Sequence, residues 1–161
     1  KTNFIKEWWG KRDVVTLITR PRRFGKTLNM RMLDCFFSNK YANRADLFEG
    51  LSIWQDETYR KLQGTYPVIF LSFAAVKAGN LEDAKTQIKQ EITRLYWENR
   101  NLMKEDIFGE DERELYYRTT VKMDDVTAQD SLRNLSVWME RYYGKKVIIL
   151  LDEYDTPMQE A

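Results

Sequence analysis

Val14-Val15-Thr16-Leu17-Ile18-Thr19-Arg20-Pro21-Arg22-Arg23-Phe24-Gly25-Lys26-Thr27-Leu28 is the stretch on which the reading of the chain turns. Its first six residues form a short β-branched apolar run, which predicts a buried strand over 14–19 entering a loop. After Gly25, apolar residues at 28, 32, 33, 36 and 37 recur at helical spacing with no Gly or Pro, so a helix with a core-facing stripe follows. The residues between them fit the phosphate-loop pattern G-x-x-x-x-G-K-[ST] except at Arg20, which stands where the first Gly belongs and restricts the turn that opens the loop. In that pattern the Gly lets backbone N–H groups approach phosphate, the Lys places a point charge on the β and γ oxygens, and the Thr hydroxyl is a ligand for Mg²⁺. These roles fall on Gly25, Lys26 and Thr27. Arg22, Arg23, Phe24 and Leu28 complete the stretch expected to contact nucleotide. Read alone, Gly-Lys-Thr could be a plain helix cap with a solvated Lys, and Arg22 and Arg23 could be solvated loop residues. The strand-loop-helix context weighs against the cap.

Outward from this loop, Pro67-Val68-Ile69-Phe70-Leu71-Ser72-Phe73 predicts a second strand, with Pro at a first position where the missing N–H is tolerated. A helical connection containing Leu47, Phe48, Trp54, Tyr59 and Leu62 precedes it. Asn80 is placed to cap a helix from Leu81 to about Trp97, carrying Leu81, Ala84, Ile88, Ile92 and Leu95 on one face. Residues 99–127 mix charge with apolar residues and predict a shorter helix and loops. Leu132, Leu135, Met139 and Tyr142 repeat at helical spacing up to Gly144. Val147-Ile148-Ile149-Leu150-Leu151 then gives a third strand without polar alternation, expected to be covered on both faces. Apolar strands separated by helices indicate a parallel sheet between helical layers.

The third strand leads into Asp152-Glu153. A carboxylate at such a strand end can hold the water shell of Mg²⁺, and a Glu beside it can polarise water for attack on a γ-phosphate, which favours hydrolysis over transfer to a substrate hydroxyl. The bland reading is a strand ending in solvated acids; the loop at Lys26 counts against it. Asp155 either joins the polar shell or caps the Thr156-Pro157 turn, with the cap favoured. Trp8, Trp9, Trp54, Trp97 and Trp138 lie mostly on predicted helices among other apolar residues, so core packing is the expectation for them.

Composition narrows the chemistry. With no histidine among 161 residues, the usual general base, Ser/His and Cys/His nucleophile pairs and most transition-metal sites are excluded, leaving carboxylates, Lys, Arg and a hard metal. The 26 Lys and Arg against 25 Asp and Glu give a net charge of +1, which offers no general attraction to nucleic acid or acidic membrane. The single Cys35 lies in an apolar run and reads as a buried thiol in a reducing compartment. No apolar run approaches the roughly 20 residues that span a bilayer. The N-terminus lacks a signal peptide's apolar stretch, so the expected location is cytoplasmic.

Lys1-Thr2-Asn3-Phe4-Ile5-Lys6-Glu7-Trp8-Trp9, the segment Thr16 to Met30, Leu47-Phe48-Glu49-Gly50-Leu51 and Leu151-Asp152-Glu153-Tyr154-Asp155-Thr156-Pro157 together resemble the predicted AAA-ATPase-like domain of bacterial proteins. The resemblance spans essentially all of residues 1–161. It implies that Arg20 is a variant usual in that family. It also implies longer proteins, commonly with a C-terminal PD-(D/E)XK nuclease-like domain, no segment of which is matched here. The family is similar to archaeal-type and STAND-like ATPases, whose sheets continue beyond the acidic strand.

The expected fold is therefore an α/β, three-layer α/β/α P-loop NTPase domain with a parallel sheet, cut short after the Asp152-Glu153 strand. The expected function is Mg-dependent ATP binding, with hydrolysis by the whole protein driving a conformational change, the 161-residue piece itself being expected to be catalytically poor. Catalytic roles fall on Glu153 and Lys26, nucleotide contacts on residues 22–28, and metal ligation on Thr27 and Asp152. No guanine-reading element is visible, and the base could equally be that of GTP. Two other readings stand beside this one: a nucleotide-gated interaction module with little turnover, and a small-molecule kinase. The expected partners are a nucleoside triphosphate and a second copy or a C-terminal domain, with nucleic acid reached only through a fused nuclease-like domain and no membrane.

Overall fold

A computed structural model of the chain describes residues 1–18, 25–76 and 79–155. Contacts divide the chain into two compact units, Lys1–Val68 and Ile69–Ala161.

In the first unit, α1 (Asn3–Lys11), α2 (Lys26–Phe37) and the short α3 (Glu57–Arg60) are joined by 3-10 turns at Asn39–Tyr41, Ala45–Leu47 and Ser52–Gln55. Aromatic packing holds α1 to the end of α2: the Trp9 ring stacks on Phe37 at 4.9 Å, and Trp8 meets the same ring at 5.5 Å. Phe36 meets Phe48 edge-on at 5.0 Å, and Ile5, Leu33 and Ile53 are fully buried. Polar contacts fix the start of α1. The Thr2 and Ser52 hydroxyls are 2.8 Å apart, and Lys6 donates to Asp56 at 3.0 Å. After α2 the chain makes a parallel bridge between Ser38 and Tyr66. The return to it passes Gly64, where φ is +67° and any Cβ would lie 2.4 Å from the Ala42 Cα, so both backbone conformation and space require glycine.

In the second unit, β1 (Val68–Ser72) pairs in parallel with β2 (Ile148–Asp152). The crossover between them contains α4 (Leu81–Glu98), α5 (Glu110–Arg118) and α6 (Asp125–Tyr143). The helix ends follow from the sequence. The Asn80 side chain accepts from the Asp83 N–H at 2.9 Å, Asp124 accepts from the Thr127 N–H at 2.8 Å, and α6 stops at Gly144. Ile69 and Leu71 of β1 pack in one core with Ile92, Leu95 and Tyr96 of α4, Leu135, Trp138 and Met139 of α6, and Phe108 and Tyr116. Asp125 adds a polar tie between α6 and α4, receiving Lys85 at 2.9 Å and Lys89 at 2.7 Å.

Three expectations are corrected. Residues 14–18 of the expected first strand are irregular, with Val14, Val15 and Leu17 exposed; Thr19 lies outside the described residues. An extended segment needs a neighbour for its N–H and C=O groups, and the described strands β1 and β2 pair with each other, not with 14–18. The described sheet is thus two-stranded and parallel, and the chain is α/β. β2 is also covered on one face only, Leu150 and Asp152 being buried while Ile149 and Leu151 are exposed. Last, Trp97 is 64% exposed at the end of α4, with the Arg100 guanidinium 4.0 Å over its ring, whereas Trp138 is buried as expected. The connection between the first helix and β1 is helical, as expected, but broken into short turns.

Candidate functional site

The expected site draws on both units, and each half has its own geometry. In the first unit, α2 starts at Lys26 immediately after Gly25, whose φ of +77° turns the backbone into the helix. A Cβ at Gly25 would meet nothing within 4 Å, so the requirement there is conformational and not spatial. The first turn of α2 carries no acidic residue, which leaves the positive end of the helix open to an anion. Lys26 is half-buried, and Thr27 and Leu28 are exposed. Arg20, Arg22, Arg23 and Phe24 lie outside the described residues.

One turn into α2, Asn29 is only 9% exposed, and its Nδ2 donor has no hydrogen-bond partner. An unsatisfied buried donor costs about 1–3 kcal/mol. The apolar stripe read from the sequence included Leu28 and passed over Asn29, yet Leu28 is the exposed one of the two. The one available signal was a polar residue amid the apolar positions of a helix.

In the second unit, the backbone of β2 ends in Asp152, whose carbonyl accepts from the Phe73 N–H just past β1 at 2.9 Å. This bond carries the pairing of the two strands to their C-terminal ends, where parallel α/β sheets place their ligands. The Asp152 side chain is 4% exposed, and its Oδ2 has no hydrogen-bond partner. Glu153 follows with φ at +54°, a left-handed conformation that costs a residue with a Cβ on the order of 1–2 kcal/mol. Strain of this kind persists where the surroundings impose it, and functional sites are one such place. Tyr154 is exposed and Asp155 half-buried. The turn at Thr156-Pro157 that Asp155 was expected to cap lies outside the described residues.

A hard divalent cation is held by oxygen ligands. The buried, unpartnered Asp152 Oδ2 is an oxygen of the kind such a cation takes, and Thr27 presents an exposed hydroxyl. Among the described residues no three His, Cys, Asp or Glu side chains converge. The cation would therefore need phosphate oxygens and water as its other ligands, which is how Mg²⁺ is commonly held. A groove of about 470 Å³ beside α4, lined by Ala75, Val76, Asp83, Thr86, Gln87 and Glu91 among others, carries two carboxylates and, among the described residues, no cation. Cys35 is half-buried, not fully buried as expected. Burial first, and then the Asp34 carboxylate, raise its thiol above the ordinary value, which opposes a reactive thiolate.

A family model described as predicted AAA-ATPase matches residues 1–161. The chain belongs to the AAA-ATPase-like family. Membership of this family supports nucleotide binding. This AAA-ATPase-like chain matches no curated protein and no solved structure. Among the described residues, no helix of the AAA-ATPase-like chain is long and apolar enough to cross a membrane.

Proposed function

We propose that the chain binds ATP with Mg²⁺ and hydrolyses it, with Lys26 on the phosphates and Glu153 as the base. The observation that supports this most is the end of β2: a buried carboxylate oxygen with no partner at Asp152, followed at once by an acidic residue held in a left-handed conformation. A strand that simply ended in solvated acids would leave Asp152 in water and give Glu153 no reason for strain.

The residues divide the work. Gly25 gives the backbone its entry into α2, and the helix's positive end adds to the Lys26 ammonium in favouring the β and γ phosphates. Arg22, Arg23, Phe24 and Leu28 complete the nucleotide contacts, and Thr27 and Asp152 would hold the metal. Mg²⁺, when bound, neutralises charge on the β and γ phosphate oxygens. Glu153 accepts a proton from water as the water oxygen bonds to the γ phosphorus. The bond from that phosphorus to the bridging oxygen breaks, leaving ADP and phosphate. The change in ligand charge on hydrolysis is the means by which such a domain drives a conformational change in a larger protein.

Calorimetric titration with Mg·ATP and Mg·GTP, with and without chelator, together with phosphate release, tests this reading. Magnesium-dependent binding with release that Glu153→Gln abolishes is the expected result. Absence of nucleotide binding overturns the proposal. Binding without release would establish a nucleotide-gated interaction module in its place.

A further inference from the structure

We infer that Asn29 is a positioning residue for the bound phosphate chain, its buried amide donor being held for an oxygen that arrives with the nucleotide. The inference rests on the reading above. Asn29 stands three residues after Lys26, so the two are neighbours along α2, and the Asn29 N–H closes the first helical turn onto the Gly25 carbonyl at 3.0 Å. Helical side chains lean toward the N-terminus of their helix, and an amide at this position therefore reaches back over the turn that begins at Lys26.

The donor at that place is unmet. Nδ2 is buried without a partner, while of the buried residues further along α2 Leu33, Phe36 and Phe37 are apolar and Asp34 faces the Arg31 guanidinium at 3.8 Å. Leucine has nearly the same branched shape and would fill the position without stranding a donor. A donor kept against that alternative is accounted for by an acceptor absent from the free protein. At the anion-binding end of a helix, that acceptor is an oxygen of the phosphate chain or of the water bound to it.

The test compares wild type, Asn29→Leu, Asn29→Ser and Lys26→Ala by thermal unfolding without ligand and by calorimetric titration with Mg·ATP and with Mg·pyrophosphate. Asn29→Leu should leave the unliganded Tm unchanged or raised while weakening both ligands at least fivefold. Asn29→Ser, which keeps a donor, should recover most of the affinity. Equal weakening toward both ligands places the acceptor on the phosphate chain. Undiminished affinity in Asn29→Leu overturns the inference, and so does a fall of its unliganded Tm, which would show the amide already satisfied in the free protein. Failure of wild type to bind Mg·ATP, or indifference to Lys26→Ala, would instead remove the reading of the site on which the inference rests.

Discussion

Glu112 and Arg141 join α5 to α6: the Arg141 guanidinium donates to both carboxylate oxygens of Glu112, at 2.9 and 2.6 Å, while the same carboxylate accepts from the Gly109 N–H at 3.1 Å and so caps α5. Arg141, ahead of the backbone bond, holds the Glu112 carboxyl at about 2, below its ordinary value of 4.5. A depressed carboxylate stabilises the fold fully above its unfolded value, and that contribution is lost as pH falls from about 4.5 through about 2. The pair is partly exposed and screened, so Glu112→Gln should cost less than about 1 kcal/mol at pH 7. Urea midpoints of the two proteins should converge as pH falls from about 4.5 to about 2. A gap that stays constant down to pH 2 would show that the charge on Glu112 does not matter.

The two tryptophans of the second unit should respond oppositely to truncation. Trp138 is buried against Phe108 at 5.2 Å and Tyr116 at 5.6 Å, so Trp138→Ala should cost about 3–5 kcal/mol in chemical unfolding. Trp97 is exposed, with the Arg100 guanidinium over its ring, and Trp97→Ala should change stability by no more than about 1 kcal/mol. Equal losses would contradict the described packing.

The left-handed conformation of Glu153 separates stability from chemistry at one residue. Glu153→Gly removes the clash of a Cβ at φ +54° and should stabilise the chain by up to about 1 kcal/mol while abolishing phosphate release. Glu153→Gln keeps the strain and should lose release without the gain in stability. A destabilised Gly variant, read from its unfolding midpoint, would show that the side chain contributes more to the fold than its conformation costs.

Nucleotide affinity should depend on the ammonium of Lys26, since its removal leaves phosphate oxygens without their main counter-charge. Lys26→Ala should weaken Mg·ATP binding at least tenfold, about 1.4 kcal/mol, in a calorimetric titration. Equal affinity would place the phosphates elsewhere.

Elements whose residues satisfy one another locally were legible in the sequence. Asn80 marks a helix start through its own side chain, Gly144 marks an end, and β1 and the helices around it carry patterns that their shared core then uses. Val14 to Ile18 was misread because an apolar β-branched run records only a preference for extension; whether it becomes a strand depends on a neighbouring edge that the run itself does not encode. The exposed face of β2 was missed for a related reason, as Ile149 and Leu151 are as apolar as the buried Leu150. Of the site, the residue types at Gly25, Lys26, Asp152 and Glu153 were readable. The orphaned oxygen of Asp152, the strain at Glu153 and the stranded amide of Asn29 were not, since each is a property of surroundings and not of spacing.

The phenols buried with Trp138 set an alkaline limit for the second unit. Tyr96 donates its hydroxyl to the Ser131 carbonyl at 2.8 Å, and Tyr116 donates to the Tyr96 carbonyl at 2.5 Å, so neither proton can leave without stranding a phenolate among rings. Burial raises both groups well above the ordinary tyrosine value of 10. The unfolded chain gives up these protons near that ordinary value while the folded chain retains them, and stability is therefore drawn down as pH climbs past 10. In a spectrophotometric titration these two of the nine tyrosines should ionise late and together, at the pH where the core opens and not where phenols in water would.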